Sequence, residues 1–209
     1  ARCTEDGREP ERRESAHAGR LSAMAWRTIA LGLAMVAGGC ASALNYLDAS
    51  GPRYMGQHAG ATPAGSDVHV VTFNIAHSRR IPEAIAILRT QAPLRNMDVL
   101  ALQEMDAPGV QAIAQAMGLN YVYYPASHGP EEERDMGVAL LSPWPIEESW
   151  KVPLPHLTRV LHRSRAAVAA RIRIDGRAVR VYSVHFGSPW GMGGGGRRDQ
   201  AKAVLKDAQ

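Results

Sequence analysis

A layered α/β sandwich, rather than an all-parallel sheet, is the fold class that this sequence predicts. Three observations lead there. Strand-like and helix-like segments alternate as β-α-β-α over residues 68–118, a run of consecutive strands follows, and a last helical segment ends the chain. Strands joined through a helix pair in parallel, whereas consecutive strands return on themselves, so long antiparallel strands with helices outside are expected. Composition agrees: 209 residues, 45% hydrophobic and 21% charged, suffice for one sizeable core.

The first strand is VHVVTFNI (68–75), rich in β-branched residues. RIPEAIAILRTQ (80–91) follows, with Ile81, Ile85 and Leu88 at helical spacing. DVLALQE (98–104) is the second strand. PGVQAIAQAMG (108–118) is a short helix, with Pro108 suited to the first turn and Gly118 to the C-terminal cap. YVYYPA (121–126), MGVALLSP (136–143) and IEESWKV (146–152) read as strands. Residues 165–186 read as a hairpin turning on Asp175-Gly176. A glycine-rich stretch, GSPWGMGGGG (187–196), reads as a mobile loop at the rim of the site and leads into the helical 197–209. Its glycines are no phosphate-binding loop, because Arg197-Arg198-Asp199 stands where Lys then Ser or Thr is required.

The second strand poses a question. Val99 to Leu102 are apolar without a break, yet the strand ends on Gln103 and Glu104, and a carboxylate is costly to bury unless something pairs with it. The first and second strands, if parallel in one sheet, end along one edge. Alternation sets Val68, Val70, Thr72 and Asn74 on one face of the first, and Asp98, Leu100, Leu102 and Glu104 on one face of the second. VRVYSVHF (179–186) carries Val181, Ser183 and His185 in one alternating set. Three apolar strands that finish on Asn, Glu or His point to a polar site at a sheet edge. Oxygen donors of that kind suit Mg²⁺, which keeps several of its waters. His77, His128, His156 and His162 show no ligand-like spacing and receive no role, and EEERD (131–135) reads as a solvated loop.

VVTFNI, DVLALQE, GVALLSPWPI and VRVYSVHF, in this order, resemble the endonuclease/exonuclease/phosphatase superfamily with its deoxyribonuclease I-like fold, over about residues 68–209. The resemblance implies a four-layer α-β-β-α sandwich and hydrolysis of a phosphoester by an activated water, with Mg²⁺ or Mn²⁺ as cofactor. It implies Glu104 as the metal carboxylate, Asn74 beside the metal, His185 meeting the phosphate, and Arg165 holding a phosphate oxygen. The substrate would be a nucleic acid, a phospholipid head group or a small phosphate ester. The superfamily's Gly-Asp-x-Asn motif and its closing Asp-His pair do not occur, and the sequence ends 24 residues after His185. A C-terminally truncated domain, poor in acid-base machinery, is therefore expected. Asp135 stands where some nuclease members carry a phosphate-contacting Tyr, which argues against a DNA-repair-like specificity. The reading from a different class is a non-catalytic envelope binding protein that keeps the fold.

Residues ahead of the domain read differently. Residues 1–23 hold five Arg against five acids and no initiator Met, and are taken as upstream translation. From Met24 an Arg, an apolar run from Ile29 to Ala37 and then Gly-Gly-Cys have the layout of a secretory signal over 24–40. The run is shorter than the roughly 18 apolar residues a bilayer-spanning helix needs. Its end resembles a bacterial lipobox, with Cys40 lipidated, although Ala37 replaces the usual Leu or Val. Ala41-Ser42-Ala43 offers the alternative of ordinary cleavage and a soluble secreted protein, and a short core helix with a buried cysteine is the third reading. Residues 41–66, rich in Gly, Ala, Ser and Pro, are expected to form a flexible tether to a domain over 67–209. A monomer in the cell envelope, held to the membrane through its lipid, is the expectation.

The net charge of +4 and a pI near 9.3 suit an anionic substrate. No block of five Lys or Arg marks a nucleic-acid tail, and the two cysteines, Cys3 and Cys40, exclude a disulfide-dependent core.

Overall fold

The computed structural model describes residues 43–60, 67–129 and 133–209. Cys40, the signal-like segment and residues 1–23 lie outside them. Among the described residues nine strands form two sheets. The larger runs β1 (Leu44–Asn45), β5 (Asn120–Gly129), β6 (Arg134–Ser142), β4 (Val99–Met105), β3 (Val70–Asn74), with β2 (Tyr54–Gly56) also on β5. The smaller runs β7 (Ile146–Leu154), β8 (Arg165–Ile174), β9 (Arg177–Val184). Three α-helices among the described residues accompany them: α1 (Ile81–Thr90), α2 (Ala107–Met117) and α3 (Pro189–Ala208). β3 and β4 are parallel and every other pairing is antiparallel, as the order of elements requires.

Three apolar clusters follow one another through the molecule. Leu88 of α1 and Val110 and Ile113 of α2 pack on Leu100, Leu102 and Met105 of β4. Val99, Val122, Val138 and Leu140 of the large sheet face Val168, Ala170 and Ile172 of the small one. On the far side, Val152, Leu154 and Ala169 pack against Ala203 and Val204 of α3. The order is helices, sheet, sheet, helix. β4 and β8 each serve two clusters, which is why Val99–Leu102 and Ala166–Ala170 are apolar without a break.

Local chemistry sets the boundaries. Asp106 caps α2 by accepting from the Gly109 N–H at 2.9 Å, and Gly118, at φ 64°, closes it in the left-handed conformation. Asp175 and Gly176 both take positive φ (46° and 77°), the geometry that a two-residue hairpin turn demands.

Two expectations need correction. The supposed tether is in part sheet: Leu44 and Asn45 pair with His128 and Ser127, and Tyr54 to Gly56 pair with Tyr123 to Tyr121. Composition hid this, because the segment is held by others. The buried Lys151 ammonium donates to the carbonyls of Tyr46 (2.5 Å) and Gly51 (3.3 Å), and Tyr46 donates to Asp135 at 3.0 Å. The glycine-rich stretch is no mobile loop either, since α3 already begins at Pro189. Ser188 caps it, and Gly193 (φ 76°, ψ 171°) breaks its helical path. Met192, buried against Gly187 and Gly196, gives this glycine-rich helix an anchor that propensity alone does not supply.

Candidate active site

Strict alternation would turn Glu104 toward the helices with Leu100 and Leu102, away from Asn74. The structure resets the phase. Pairing of β4 with β6 steps from Gln103↔Val138 to Met105↔Gly137, leaving Glu104 as an unpaired bulge residue at φ 56°. Met105 takes the next place in the helix-side core, and Gln103 stays buried between the sheets, donating to Ser183 Oγ at 3.1 Å. Glu104 is thereby swung to the strand end, beside Asn74. A left-handed glutamate costs about 1–2 kcal/mol, and such strain persists where the surroundings hold it.

What holds it is a ring of donors. Asn74 Nδ2 donates to Glu104 Oε1 at 3.1 Å, while Asn74 Oδ1 accepts from the Ala76 N–H at 2.9 Å. Nε2 of His185 lies 3.6 Å from Glu104 Oε1, and Nε2 of His77 lies 3.4 Å from Oε2. Arg165, at the start of β8, directs Nη1 to His185 Nδ1 at 3.3 Å. That contact assigns His185 Nδ1 as acceptor and places its proton on Nε2, toward the carboxylate. The four residues singled out in the sequence, Asn74, Glu104, Arg165 and His185, are thus brought together from four strands or strand ends.

Burial lowers the pKa of His185 to about 4, with the Arg165 cation adding to the effect and Glu104 opposing it. The imidazole is therefore neutral at pH 7. Burial also lowers Arg165, partly offset by Glu104. Its Nε is buried and meets no acceptor among the described residues.

His77 is the residue that sequence spacing missed. Ala76, His77 and Ser78 all take positive φ (46°, 63° and 54°), a left-handed turn that folds the chain back over the end of β3. Ser78 fastens it, accepting from the Asp106 N–H at 3.0 Å and donating to Met105 Sδ. No periodicity signals such a turn, so neither His77 nor the Ser78 anchor was legible. Beside Asn74 a hollow of about 460 Å³ opens between β3 and α1, lined by Phe73, Ile75, Arg79, Arg80 and Ile87 among others.

Among the described residues no group of three or more His, Cys, Asp or Glu is arranged to hold a metal. The donor set nevertheless fits an ion such as Mg²⁺, which binds through one or two carboxylates, retains waters and takes substrate phosphate oxygens. Glu104 would supply the carboxylate. Asn74 stands differently from expectation: its amide nitrogen orients Glu104 and its oxygen is engaged by Ala76.

The family model described as Endonuclease/Exonuclease/phosphatase family matches residues 71–209. No curated protein matches the chain. Among solved structures, an endonuclease/exonuclease/phosphatase family protein from Leptotrichia buccalis superposes with a TM-score of 0.50 at 16% identity, covering 68% of this chain and 64% of that one. A humanized D. rerio TDP2 carrying 14 mutations superposes with a TM-score of 0.50 at 16% identity, covering 67% and 58%. The chain spans less than two thirds of either structure. At such identities the likeness speaks for the fold alone.

Proposed function

The chain belongs to the endonuclease/exonuclease/phosphatase family, and from that premise we propose that it is a metal-dependent phosphoesterase. Family membership supports a hydrolase of the phosphoester type. The substrate is a phosphodiester or phosphomonoester, and the metal is Mg²⁺ or Mn²⁺. One observation carries this reading. A bulge places Glu104 in a strained backbone where Asn74, His77 and His185 surround its carboxylate, and nothing in the packing requires a carboxylate there.

Each residue has a part. Glu104 would hold the cation, and Asn74 fixes the rotamer of Glu104. Arg165 and the neutral Nε2–H of His185 bind phosphoryl oxygens, where preoriented donors favour the charge that develops during hydrolysis. The bound ion would supply Lewis-acid polarisation of the phosphoryl group and a more acidic water.

Glu104→Gln tests the proposal. The change removes charge and keeps shape. Hydrolysis of a generic phosphodiester at limiting Mg²⁺ should fall about 10²-fold or more, with the melting temperature within a few degrees of wild type. Full turnover at limiting Mg²⁺ would remove Glu104 from this role.

We propose further that Cys40 is lipidated and holds the protein in a bacterial cell envelope. Labelled palmitate should enter the wild type and not Cys40→Ala. Equal labelling of both would rule the anchor out.

A further inference from the structure

Trp190 is 93% exposed, more than any other large apolar side chain described, and Val160 at 80% is next. The two are neighbours. The Arg159 N–H donates to the Gly191 carbonyl at 2.8 Å, so Val160 and Trp190 flank one hydrogen bond that joins the 155–164 loop to the start of α3. Leu157 and Leu161, at 41% and 39%, are further exposed apolar side chains of the same loop. Single exposed apolar residues are ordinary, but a contiguous group rimmed by charge marks an interaction surface.

These tips are held out, not left loose. Gln200 is fully buried, donating to the Pro155 carbonyl at 3.0 Å and accepting from the Gly187 N–H at 2.9 Å. His156 meets Asp199 at 3.1 Å. Thr158 and Arg163 close the loop on each other, with Thr158 N–H to Arg163 O and Arg163 N–H to Thr158 Oγ1, both 2.9 Å. A folded loop pinned at this many points presents its apolar residues to solvent in a fixed arrangement.

The charge around them is mostly positive, Asp199, engaged by His156 and Lys202, being the acid beside it. Residues 155–164 and 187–198 contain Arg159, Arg163, Arg197 and Arg198 and no Asp or Glu. Arg159, Arg197 and Arg198 are exposed. Tryptophan with aliphatic tips, ringed by arginine, is the composition of a surface that settles at the headgroup boundary of an anionic bilayer. Nucleic acid fits less well, because Leu157, Val160 and Leu161 offer a base neither a stacking face nor a hydrogen bond.

We propose that this rim is a membrane-docking surface for anionic lipid. The rim adjoins the site: β8 begins with Arg165 directly after the loop, and α3 begins a few residues after His185. Docking there brings the site to the bilayer surface. The proposal needs no acyl group on Cys40, and its readout is lipid contact, so it stands or falls apart from the proposed hydrolysis.

The test uses the full chain carrying Cys40→Ser, with phosphatidylcholine–phosphatidylglycerol vesicles and with phosphatidylcholine vesicles alone. Acyl chains brominated near the headgroup should quench one indole in the parent, and Trp190→Phe should lose that component of quenching. Val160→Ser/Leu161→Ser should lower partitioning onto anionic vesicles about tenfold without changing the melting temperature. Arg197→Gln/Arg198→Gln should weaken binding at low salt. Quenching that is the same with and without Trp190 would overturn the proposal even if the chain binds vesicles by another route. So would quenching of Trp190 by a single-stranded oligonucleotide and not by lipid.

Discussion

At the scale of single residues, the decisive pair is Glu104 and His185. The native site keeps His185 neutral, with its pKa down at about 4 against an ordinary value of 6.5. Between those values the unfolded chain binds more protons than the folded one, so stability rises with pH across this window. Folding stability in chelator should be level above pH 6.5 and fall as pH drops toward 4. Carboxylates titrate there too, so the informative quantity is the difference from His185→Gln, whose profile over pH 4–6.5 should be shallower. Parallel profiles in urea unfolding would mean that His185 is not held neutral. The sequence made Glu104, Asn74 and His185 legible because each ends an apolar strand, whereas Arg165, which opens one, was picked out by the family resemblance alone. His77 stayed hidden because three consecutive left-handed residues bring it there, and L-residues adopt that conformation against their own preference. The side-chain phase of Glu104 was hidden for a related reason. A bulge adds one residue to the count without altering the hydrophobic pattern around it.

At the scale of elements, the bulge needs room on the facing strand. Gly137 of β6 lies opposite Met105, and β6 also shifts register against β5 between Pro125 and Ser127. A Cβ at Gly137 would sit 2.7 Å from Pro125 Cα and 2.8 Å from Tyr123 Cε2, inside van der Waals contact on both. Gly137→Ala should therefore destabilise the fold by about 1–3 kcal/mol, measured by urea unfolding. An unchanged midpoint would show that the two irregularities relax freely. Strands and helices with strong periodicity were readable, from 81–90 to the hairpin over 165–184. β1 and β2 were not, because two or three residues carry no period. They pair with β5, and Lys151 ties the chain beside them, both contacts far away in sequence.

At the scale of the whole molecule, the described sheets end on several open edges, β3, β7 and β9 among them. β3 ends the large sheet with only β4 beside it, and Val68 and Val70 are 51% and 55% exposed. Unpaired strand edges with apolar side chains template further pairing. The 209-residue chain should be monomeric when dilute, bind a hydrophobic dye, and associate on concentration. Val70→Lys should suppress the association, as read by light scattering. Association undiminished in that variant would place the sticky surface elsewhere. No described helix is long and apolar enough to cross a membrane.

The bulge in β4 has one more consequence, for how this protein can change over generations. Both faces of that strand are committed: Leu100, Leu102 and Met105 to one core, Val99 and Ala101 to another, and Gln103 to Ser183. At every one of these positions a substitution must satisfy a packed neighbour. Position 104 stands outside that contract, a bulge residue whose carboxylate meets Asn74, His77 and His185. Selection can rewrite it without repacking either layer, so the chemistry of this edge can drift, sharpen or be lost while the scaffold beneath it stays as it is.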